Sequence, residues 1–456
     1  MEIIRNLPKH TKYQSSYKAF DYYWGLGIEH ETYIKTSQKK LFTTFKDFMK
    51  PERYSVNYYK VYDPSGLEVC LNKIITDCSG RLFIPILMNS HSFQSTDKFG
   101  QHKTTYEKEP KPNPKFEGKT FFDWACEHSS WLREEFEKSF MWDGDSIEFM
   151  TQDFYKATVS QVMKELKTKE QRFEKEISTL PKQGQLVAYS PLLLVQPENP
   201  PFASFLTNTK NIAMFNNGTI HINITLPTRL GVKEPLYWNK FVEDHRRLAI
   251  CIQWLEPFWI AMNGSGDPLE RQAKGSQRLA ISRYIGLGTF DVEIMPRGKI
   301  LQVKKQDLYP LPWYDTLYKN TIYQPLEDIG LDINFNKHGS HGLELRFFDQ
   351  MSFSSLERVL EEVILVADNA LKSRSLRSAV KNKEWQNAAA LALKEGRDWI
   401  VCPRFLKELY SVFSFEEEKF IPTPIEKVYR DFFNKLERGG ECWMRMVEGR
   451  QKNCCW

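Results

Sequence analysis

The chain has 456 residues, 41% of them hydrophobic, and its 63 Lys and Arg against 58 Asp and Glu give a net charge of +5. A chain of this length forms one large domain or two to three smaller ones, with enough apolar residues for a sizeable core. Charges that balance this closely argue against a dedicated nucleic-acid-binding protein.

The sequence contains no segment that we expect to enter a membrane. The longest apolar run, "LAICIQWLEPFWIAM", includes Gln253, Glu256 and Pro257 and is too short to span a bilayer. The N-terminus lacks the basic and apolar regions of a signal peptide. The eight cysteines are scattered without a CxxC pair, which favours reduced thiols over a zinc site or a disulfide framework. We therefore expect a cytoplasmic protein with no membrane partner.

The N-terminal part of the chain shows strand and loop patterns. Residues 1–20 are polar and predict a loose arm, and "WGLGIEHETYIK" predicts a strand. Short apolar runs between the turn signals "DPSG" and "DCSG" predict β-structure from residue 40 to residue 90. Residues 97–119 are rich in Lys and Pro and nearly free of aliphatic residues, which is typical of a long exposed loop such as a lid.

Helical patterns dominate much of the remaining chain. Apolar and charged residues are spaced for helices over 121–140, 154–178, 238–262 and 354–371, the last with capping Ser residues at its start. Residues 375–456 are predicted to be mostly helical, and "AAALALKEG" ends on a C-cap glycine.

Four predicted strands share an unusual pattern. In "GTIHINITL", Ile220 and Ile222 lie on one face and His221 and Asn223 on the other, because alternate residues of a strand share a face. The strands in "GIEHETYI", "SIEFM" and "GLELRFF" also have an apolar face, and opposite it they present these polar residues: Glu29, Glu31, Glu148, Glu344 and Arg346.

For any single strand, the alternative is an antiparallel sheet with one solvated face. If the four strands share one sheet, they gather four carboxylates and an imidazole on one surface, where like charges repel. A divalent cation relieves this repulsion, and carboxylate oxygens favour Mg²⁺ or Mn²⁺. The pattern therefore predicts a metal site. Asp143 and Asp145, in "DGDS", are interpreted as turn residues and not as ligands.

These segments resemble motifs of a known enzyme superfamily. "GIEHE" resembles the first Glu-x-Glu strand of glutamine synthetases and glutamate–cysteine ligases, and "NNGTIHINI" resembles the glutamine synthetase strand with a metal-binding His. "GLELRFFD" is similar to the late Glu-x-Arg strand, and "WDGDSIEFMTQDF" to the strand whose Glu completes the metal site in carboxylate–amine ligases. "QWLEPFWIAMNGSGDP" and "GSQRLAISR" resemble the helix, loop and Ser-x-Arg segment of glutamate–cysteine ligases.

The motifs follow the family's order over residues 20–370 and look closest to the diverged carboxylate–amine ligases called amidoligases. The sequence departs from glutamine synthetases at Asn223, where they have a second His, and this leaves the amine substrate open. The resemblance implies an α+β catalytic domain over residues 21–374, followed by a helical C-terminal region over 375–456. Its glutamine-synthetase-like fold has a curved, mainly antiparallel sheet, with helices on one face and the metal and ATP site on the other.

The resemblance also implies a reaction. ATP phosphorylates a carboxylate, and an amine then displaces phosphate to form an amide or isopeptide-type bond, with Mg²⁺ (or Mn²⁺) neutralising the phosphates. By resemblance, Glu29, His221 and Glu344 hold one ion, and Glu31 and Glu148 hold the other. The carboxylate is glutamate or a peptide γ-carboxyl, and the amine is an amino acid, a polyamine or a lysine side chain.

Three arginines and one asparagine complete the site that the resemblance implies. Arg346 and Arg278 are expected to contact the γ-phosphate, because a guanidinium group binds two phosphate oxygens at once. Arg283 is a candidate for the nucleotide or the substrate carboxylate. Asn223 is a candidate for a phosphate oxygen or a metal-bound water.

Two other functions stay open at this point. One is a binding or structural protein that keeps the scaffold without its chemistry, as an oligomer or within a larger assembly, with residues 97–119 and 375–456 as contact surfaces. The other is a magnesium-dependent kinase or phosphatase, which metal-binding residues alone do not distinguish from a ligase.

Overall fold

The structure is a computed structural model that describes residues 18–47, 64–90, 92–93, 120–143, 146–152, 155–183, 186–194, 200, 202–206, 208–214, 218–232, 235–266, 274–276, 333–335, 342–373, 377–379, 382–416, 419–439 and 443. Several sequence expectations lie outside the described residues. They are residues 1–17 of the predicted arm, the loop 97–119, Asp145, Arg278 and Arg283.

The strands within these ranges are, in chain order, β1 (Tyr22–Thr32), β2 (Ile34–Phe42), β3 (Leu82–Met88), β4 (Phe140–Asp143), β5 (Ser146–Met150), β6 (Leu193–Leu194), β7 (Phe202–Phe205), β8 (Asn208–Met214), β9 (Thr219–Arg229), β10 (Ile333–Phe335), β11 (Leu343–Asp349), β12 (Ile400–Val401) and β13 (Thr423–Pro424).

The α-helices within them are α1 (Pro64–Asp77), α2 (Phe121–His128), α3 (Ser130–Glu135), α4 (Val159–Thr179), α5 (Leu186–Tyr189), α6 (Trp238–Asn263), α7 (Phe353–Lys372), α8 (Lys383–Glu395), α9 (Pro403–Val412) and α10 (Ile425–Gly439). The predicted start of α7 and the predicted end of α8 are confirmed. The Ser352 side chain accepts from the backbone of Ser355, and Gly396 follows α8 with a φ of 54°.

Two larger sheets contain eleven of the described strands, and β12 and β13 form a third sheet of two strands. Six strands form one sheet in the order β10-β11-β9-β1-β5-β4, with all neighbours antiparallel. Five others form a second sheet in the order β6-β2-β3-β7-β8, in which β3 and β7 run parallel. The chain is therefore a mixed α+β protein with mainly antiparallel sheets, as expected. The four strands with polar mid-strand residues all lie in the six-stranded sheet.

The back of the six-stranded sheet is apolar and packs against helices. Ile220, Ile222 and Leu345 are completely buried there. Helices α6 and α4 lie against this face, and α7 packs on both of them. Burying each such side chain contributes about 1.5–3 kcal/mol. A slip of one residue would expose the whole row, so this burial holds β9 in its register.

His245 of α6 anchors the far part of β9. Its Nδ1–H donates to the carbonyl of Phe241 (2.7 Å), and its Nε2 accepts the backbone N–H of Leu226 (3.0 Å). Burial lowers the pKa of His245 to about 4, so the ring stays neutral and keeps an acceptor nitrogen. The ring also lies 2.3 Å from where a Cβ would stand on Gly342, the residue before β11. Glycine is therefore needed where β11 approaches α6.

The helices of the C-terminal region pack directly on α6. Trp254 of α6 stacks on Phe405 of α9 at a centroid distance of 6.2 Å, and Phe258 meets Phe432 of α10 edge-on at 5.9 Å. The indole of Trp385 in α8 donates to the backbone carbonyl of Gln253 (2.7 Å). These contacts join α8–α10 to the hydrophobic core beneath the sheet.

The prediction of β-structure over residues 40–90 is wrong in its middle. Pro64–Asp77 form α1, and Leu71, Ile74 and Ile75 lie on one buried side of it. The signal "DPSG" marks a helix start, because proline is tolerated at the first position of a helix.

The predicted helix over 121–140 is also too long. Helix α3 ends at Glu135, and β4 begins at Phe140. Phe140 and Trp142 both turn into the core with one residue between them, which is a strand spacing.

Among the helices in the described ranges, none combines the length and apolar character that crossing a bilayer requires. The cysteines Cys78, Cys126, Cys251 and Cys402 are free thiols.

A buried carboxylate joins three helices behind the sheet. Oε2 of Glu362 in α7 accepts hydrogen bonds from the indole of Trp259 in α6 (2.9 Å) and from the hydroxyl of Tyr429 in α10. Burial raises the pKa of Glu362 to about 7, and the hydrogen bonds from Tyr429 and Trp259 offset only part of this rise.

This raised pKa predicts a stability difference that depends on pH. Because the folded pKa of Glu362 lies above its unfolded value, the stability from the neutral carboxyl is present below about pH 4.5 and is lost as pH rises through about 7. We expect Glu362→Gln, which stays neutral, to gain up to about 3 kcal/mol over wild type between pH 5 and pH 8. Urea unfolding at both pH values measures this gain.

Glu357→Gln on the same helix is the matched control, because the Glu357 side chain is 43% exposed and pairs only loosely with Lys167, at 3.8 Å. It should show no such change. An equal difference between wild type and Glu362→Gln at the two pH values would contradict the prediction.

Candidate metal centre

Strand register brings the predicted polar residues together. Glu29 of β1 lies directly opposite His221 of β9, and Glu31 lies opposite Glu148 of β5. On the other side of β9, Glu344 of β11 lies opposite Asn223. Directly opposed residues of antiparallel strands project from the same face, so these side chains share the front of the sheet.

A bulge in β11 adds Arg346 to this group. Leu345 pairs with Ile222 and Phe348 with Ile220, so Arg346 and Phe347 together oppose the single residue His221. The extra residue lets both phenylalanines enter the core, where their rings lie 6.1 and 5.9 Å from that of Trp259. Arg346 stays on the front, and bulges of this kind commonly re-aim a side chain at a site.

The first cluster consists of Glu29, His221 and Glu344. Nδ1 of His221 lies 3.3 Å from Glu29 Oε2 and 3.6 Å from Glu344 Oε1. One ligand atom from each residue lies within 4.8 Å of the other two, a spacing that a single cation can fill. A guanidinium nitrogen of Arg346 lies 2.9 Å from Glu344 Oε1 and 3.4 Å from His221 Nδ1.

The second cluster consists of Glu31, Asp143 and Glu148, whose oxygens also lie within 4.8 Å of one another. Two of the three are those that the sequence predicted. The third is Asp143, interpreted from the sequence as a turn residue. Asp143 is the last residue of β4, and its backbone carbonyl does accept a turn hydrogen bond from Ser146 (2.8 Å). Pairing of β4 with β5 nevertheless places its carboxylate beside Glu148.

Burial distinguishes this face from an ordinary solvated one. Glu29, His221, Glu148 and Glu344 are each 5% exposed or less. The five carboxylates of the two clusters and the one guanidinium of Arg346 leave a formal charge of four negative units. Each buried ion costs several kcal/mol of lost hydration unless it is compensated. Two divalent cations would neutralise this charge.

The imidazole of His221 suits a metal ligand. Burial and the nearby charge of Arg346 lower the pKa of His221, and they outweigh the opposing effects of Glu29, Glu31 and Glu344. A neutral imidazole is the form that binds a metal. The donor set, carboxylate oxygens with one imidazole nitrogen, fits Mg²⁺ or Mn²⁺ and includes no thiolate.

A second histidine supports β1 from behind. The ring of His30 lies between Glu170 of α4 (2.5 Å) and the side-chain oxygen of Gln350 (2.6 Å), and Gln350 Nε2 donates to the backbone carbonyl of Glu31. Burial alone would lower the pKa of His30, but the charge and hydrogen bond of Glu170 reverse this and raise it. This trio was not predicted from the sequence. The only local signal was a histidine among the apolar residues on the back of β1.

The structure places the other predicted site residues as follows. Asn223 is partly buried on the front face, with Gly27 on one side and Glu344 on the other. Arg278 and Arg283 lie outside the described residues, so their predicted roles stay predictions. The metal roles of both clusters stay predictions as well.

The chain is similar to a known protein that has no assigned activity. No protein-family model matches the chain. The chain is 36% identical over 406 residues to an uncharacterized protein of Acanthamoeba polyphaga mimivirus, and the match covers 86% of this chain and 70% of the viral protein.

We expect the two clusters to bind metal as separable sites. Titration of metal-free wild-type protein with Mn²⁺, followed by calorimetry, should show two sites. Glu344→Gln should weaken one and Asp143→Asn the other, each by about 100-fold or more, or about 2.7 kcal/mol. Metal-free melting temperatures should stay level or rise, because each substitution removes a charge from a repelling cluster.

The surface variant Glu357→Gln controls for overall charge. Isotherms that are unchanged in both cluster variants would show that the acids do not hold a cation.

Proposed function

Since this chain belongs to the family of the uncharacterized mimivirus protein, whose name assigns no activity, we propose a function from the site. The protein is an ATP- and Mg²⁺-dependent carboxylate–amine ligase of the amidoligase kind. It forms an amide or isopeptide-type bond through an acyl phosphate.

The observation that carries this proposal is the pair of adjacent acidic clusters on one buried sheet face. Glu29 and Glu31 of the same strand contribute one ligand to each cluster. Phosphoryl transfer from ATP needs cations that bridge the phosphates and neutralise developing charge. Among the described residues, the five carboxylates and Arg346 sum to four negative charges, which two divalent ions would balance.

The fold is compatible with this proposal, but the proposal does not depend on it. An antiparallel sheet with helices on its back and acids on its front is the arrangement that the glutamine synthetase resemblance implies. The motifs that suggested the resemblance lie on adjacent strands of that sheet, β11, β9, β1 and β5. An inert scaffold gives no reason for burying several carboxylates so close together, because their repulsion lowers stability.

The proposed reaction has two steps. A carboxylate oxygen of the first substrate attacks the γ-phosphorus of ATP, and the bond to the β,γ-bridging oxygen breaks to release ADP. The amine nitrogen of the second substrate then attacks the acyl carbon, phosphate leaves with the bonding electrons, and the amine loses a proton. Arg346, whose side chain is one-fifth exposed beside the first cluster, is proposed to stabilise the transferred phosphoryl group.

Asn223 pairs with Glu344, so its amide is proposed to donate to a phosphate oxygen or a metal-bound water at the first cluster. Arg278 and Arg283 complete the proposed nucleotide contacts. The substrates are proposed as a small-molecule or peptide carboxylate, with glutamate first, and a primary amine.

ADP release with glutamate and a panel of amines tests the proposal. We expect Mg²⁺-dependent ADP release that one class among amino acids, polyamines and lysine peptides stimulates, with an amide product by mass spectrometry. Glu344→Gln and His221→Ala should each lower turnover by at least about 1,000-fold, and the double variant should be little worse, because residues that act as a unit are non-additive.

Glu357→Gln should turn over as wild type does. A phosphoester product would replace the ligase with a kinase, and the absence of ATP binding with Mg²⁺ or Mn²⁺ at millimolar concentrations would refute both.

A further inference from the structure

Thr219 lies between the two clusters and is not one of their ligands. It is the first residue of β9 and is 2% exposed. Its hydroxyl oxygen lies 2.5 Å from Glu31 Oε2 in the second cluster and 3.0 Å from Nε2 of His221 in the first. One hydroxyl therefore contacts both clusters.

The hydroxyl has one hydrogen, and the geometry decides where it points. A carboxylate oxygen only accepts, so the short contact to Glu31 requires that Thr219 donate to it. The oxygen of Thr219 then faces His221 Nε2 with a lone pair. At 3.0 Å this contact is favourable only if Nε2 carries a hydrogen and donates.

This direction determines the chemistry at the other ring nitrogen. A guanidinium nitrogen of Arg346, which only donates, lies 3.4 Å from the other ring nitrogen, Nδ1, so Nδ1 accepts and carries no hydrogen. It faces two further acceptors, Glu29 Oε2 at 3.3 Å and Glu344 Oε1 at 3.6 Å. The same Arg346 nitrogen also contacts Glu344 Oε1, at 2.9 Å. The three acceptors therefore converge beside one positive group, and a metal ion among them would balance the charge of the second carboxylate.

We propose that Thr219 is a positioning residue that holds His221 in the Nε2–H tautomer, so that Nδ1 is the metal ligand, and that links the first cluster to Glu31 of the second. The metal part of this inference rests on the proposed function. Hydrogen bonds to the second nitrogen of a metal-binding histidine commonly fix its tautomer and orientation. Thr219 performs this task by passing the hydrogen bond on to a ligand of the neighbouring ion.

The backbone before Thr219 holds the hydroxyl in place. A Cβ on Gly218 would lie 2.3 Å from the carbonyl oxygen of Glu31 and 2.5 Å from Nε2 of Gln350. Glycine therefore lets the start of β9 lie against β1 at Glu31. This close approach brings the hydroxyl of Thr219 within reach of the Glu31 carboxylate.

The first test reads the tautomer without metal. Full-length protein labelled with ¹⁵N-histidine is compared by NMR as wild type, Thr219→Val and Thr219→Ser, with His221→Ala to assign the resonances. We expect a protonated Nε2 and an unprotonated Nδ1 at His221 in wild type and in Thr219→Ser. In Thr219→Val, which keeps the shape but lacks the hydroxyl, we expect Nδ1 to gain proton occupancy, because Glu29 is then its best acceptor.

The second test reads metal affinity. Mn²⁺ calorimetry should show that Thr219→Val weakens the first cluster about 10- to 100-fold, the usual effect of losing an outer hydrogen bond. Thr219→Ser should stay within about threefold of wild type, and melting temperatures should show that both variants fold.

Each outcome decides a different question. A wild-type His221 protonated at Nδ1, or a Thr219→Val variant with the wild-type tautomer and Mn²⁺ affinity, overturns the inference and leaves the proposed function standing. Equal loss of affinity in Thr219→Ser and Thr219→Val also overturns it, since packing and not the hydroxyl would then matter. Wild-type protein with the expected tautomer but no Mn²⁺ uptake refutes the proposed function and confines Thr219 to orienting His221.

Discussion

Strand β9 pairs with β1 on one side and β11 on the other, and the site depends on this double pairing. Glu29 and Glu344 come from strands more than 300 residues apart in sequence, and each reaches His221 because β9 lies between them. The register of β9 is set by its apolar back, since Ile220 and Ile222 have no exposed surface. The free energy that positions the acids thus comes from hydrocarbon packed against α6, on the opposite side of the sheet.

The two faces of the sheet have opposite effects on the stability of the fold. The back gains about 1.5–3 kcal/mol for each large apolar side chain that it buries. The front buries several carboxylates whose mutual repulsion opposes folding, and Arg346 offsets part of this repulsion in the first cluster. Burial of the apolar back offsets this repulsion. Bound cations would convert the front from a destabilising surface to a stabilising one, by mass action.

Buried hydrogen bonds behind the front face also help to hold the site residues in place. His30, Glu170 and Gln350 form a buried chain from α4 to the backbone carbonyl of Glu31. Thr219 connects Glu31 to His221 on the front. Hydrogen bonds therefore hold Glu31 at its backbone and at its carboxylate, from opposite sides of the sheet. The orientation of the acidic strand is thereby fixed before any cation binds.

The sequence by itself determined which face of each strand is apolar and which polar, because side-chain alternation is local; this predicted Glu29, Glu31, Glu148, His221 and Glu344 as one group. It also determined the start of α7 and the end of α8, through the caps Ser352 and Gly396. Only the tertiary structure decided that Asp143 lies beside Glu148, that Thr219 contacts both clusters and that His30 contacts Glu170. Strand pairing and helix docking bring these residues together, and their neighbours in sequence carry no sign of the contacts. Tertiary packing also explains why "DPSG" begins a helix. The burial of Leu71 in the core outweighs the local preference of these residues for a turn.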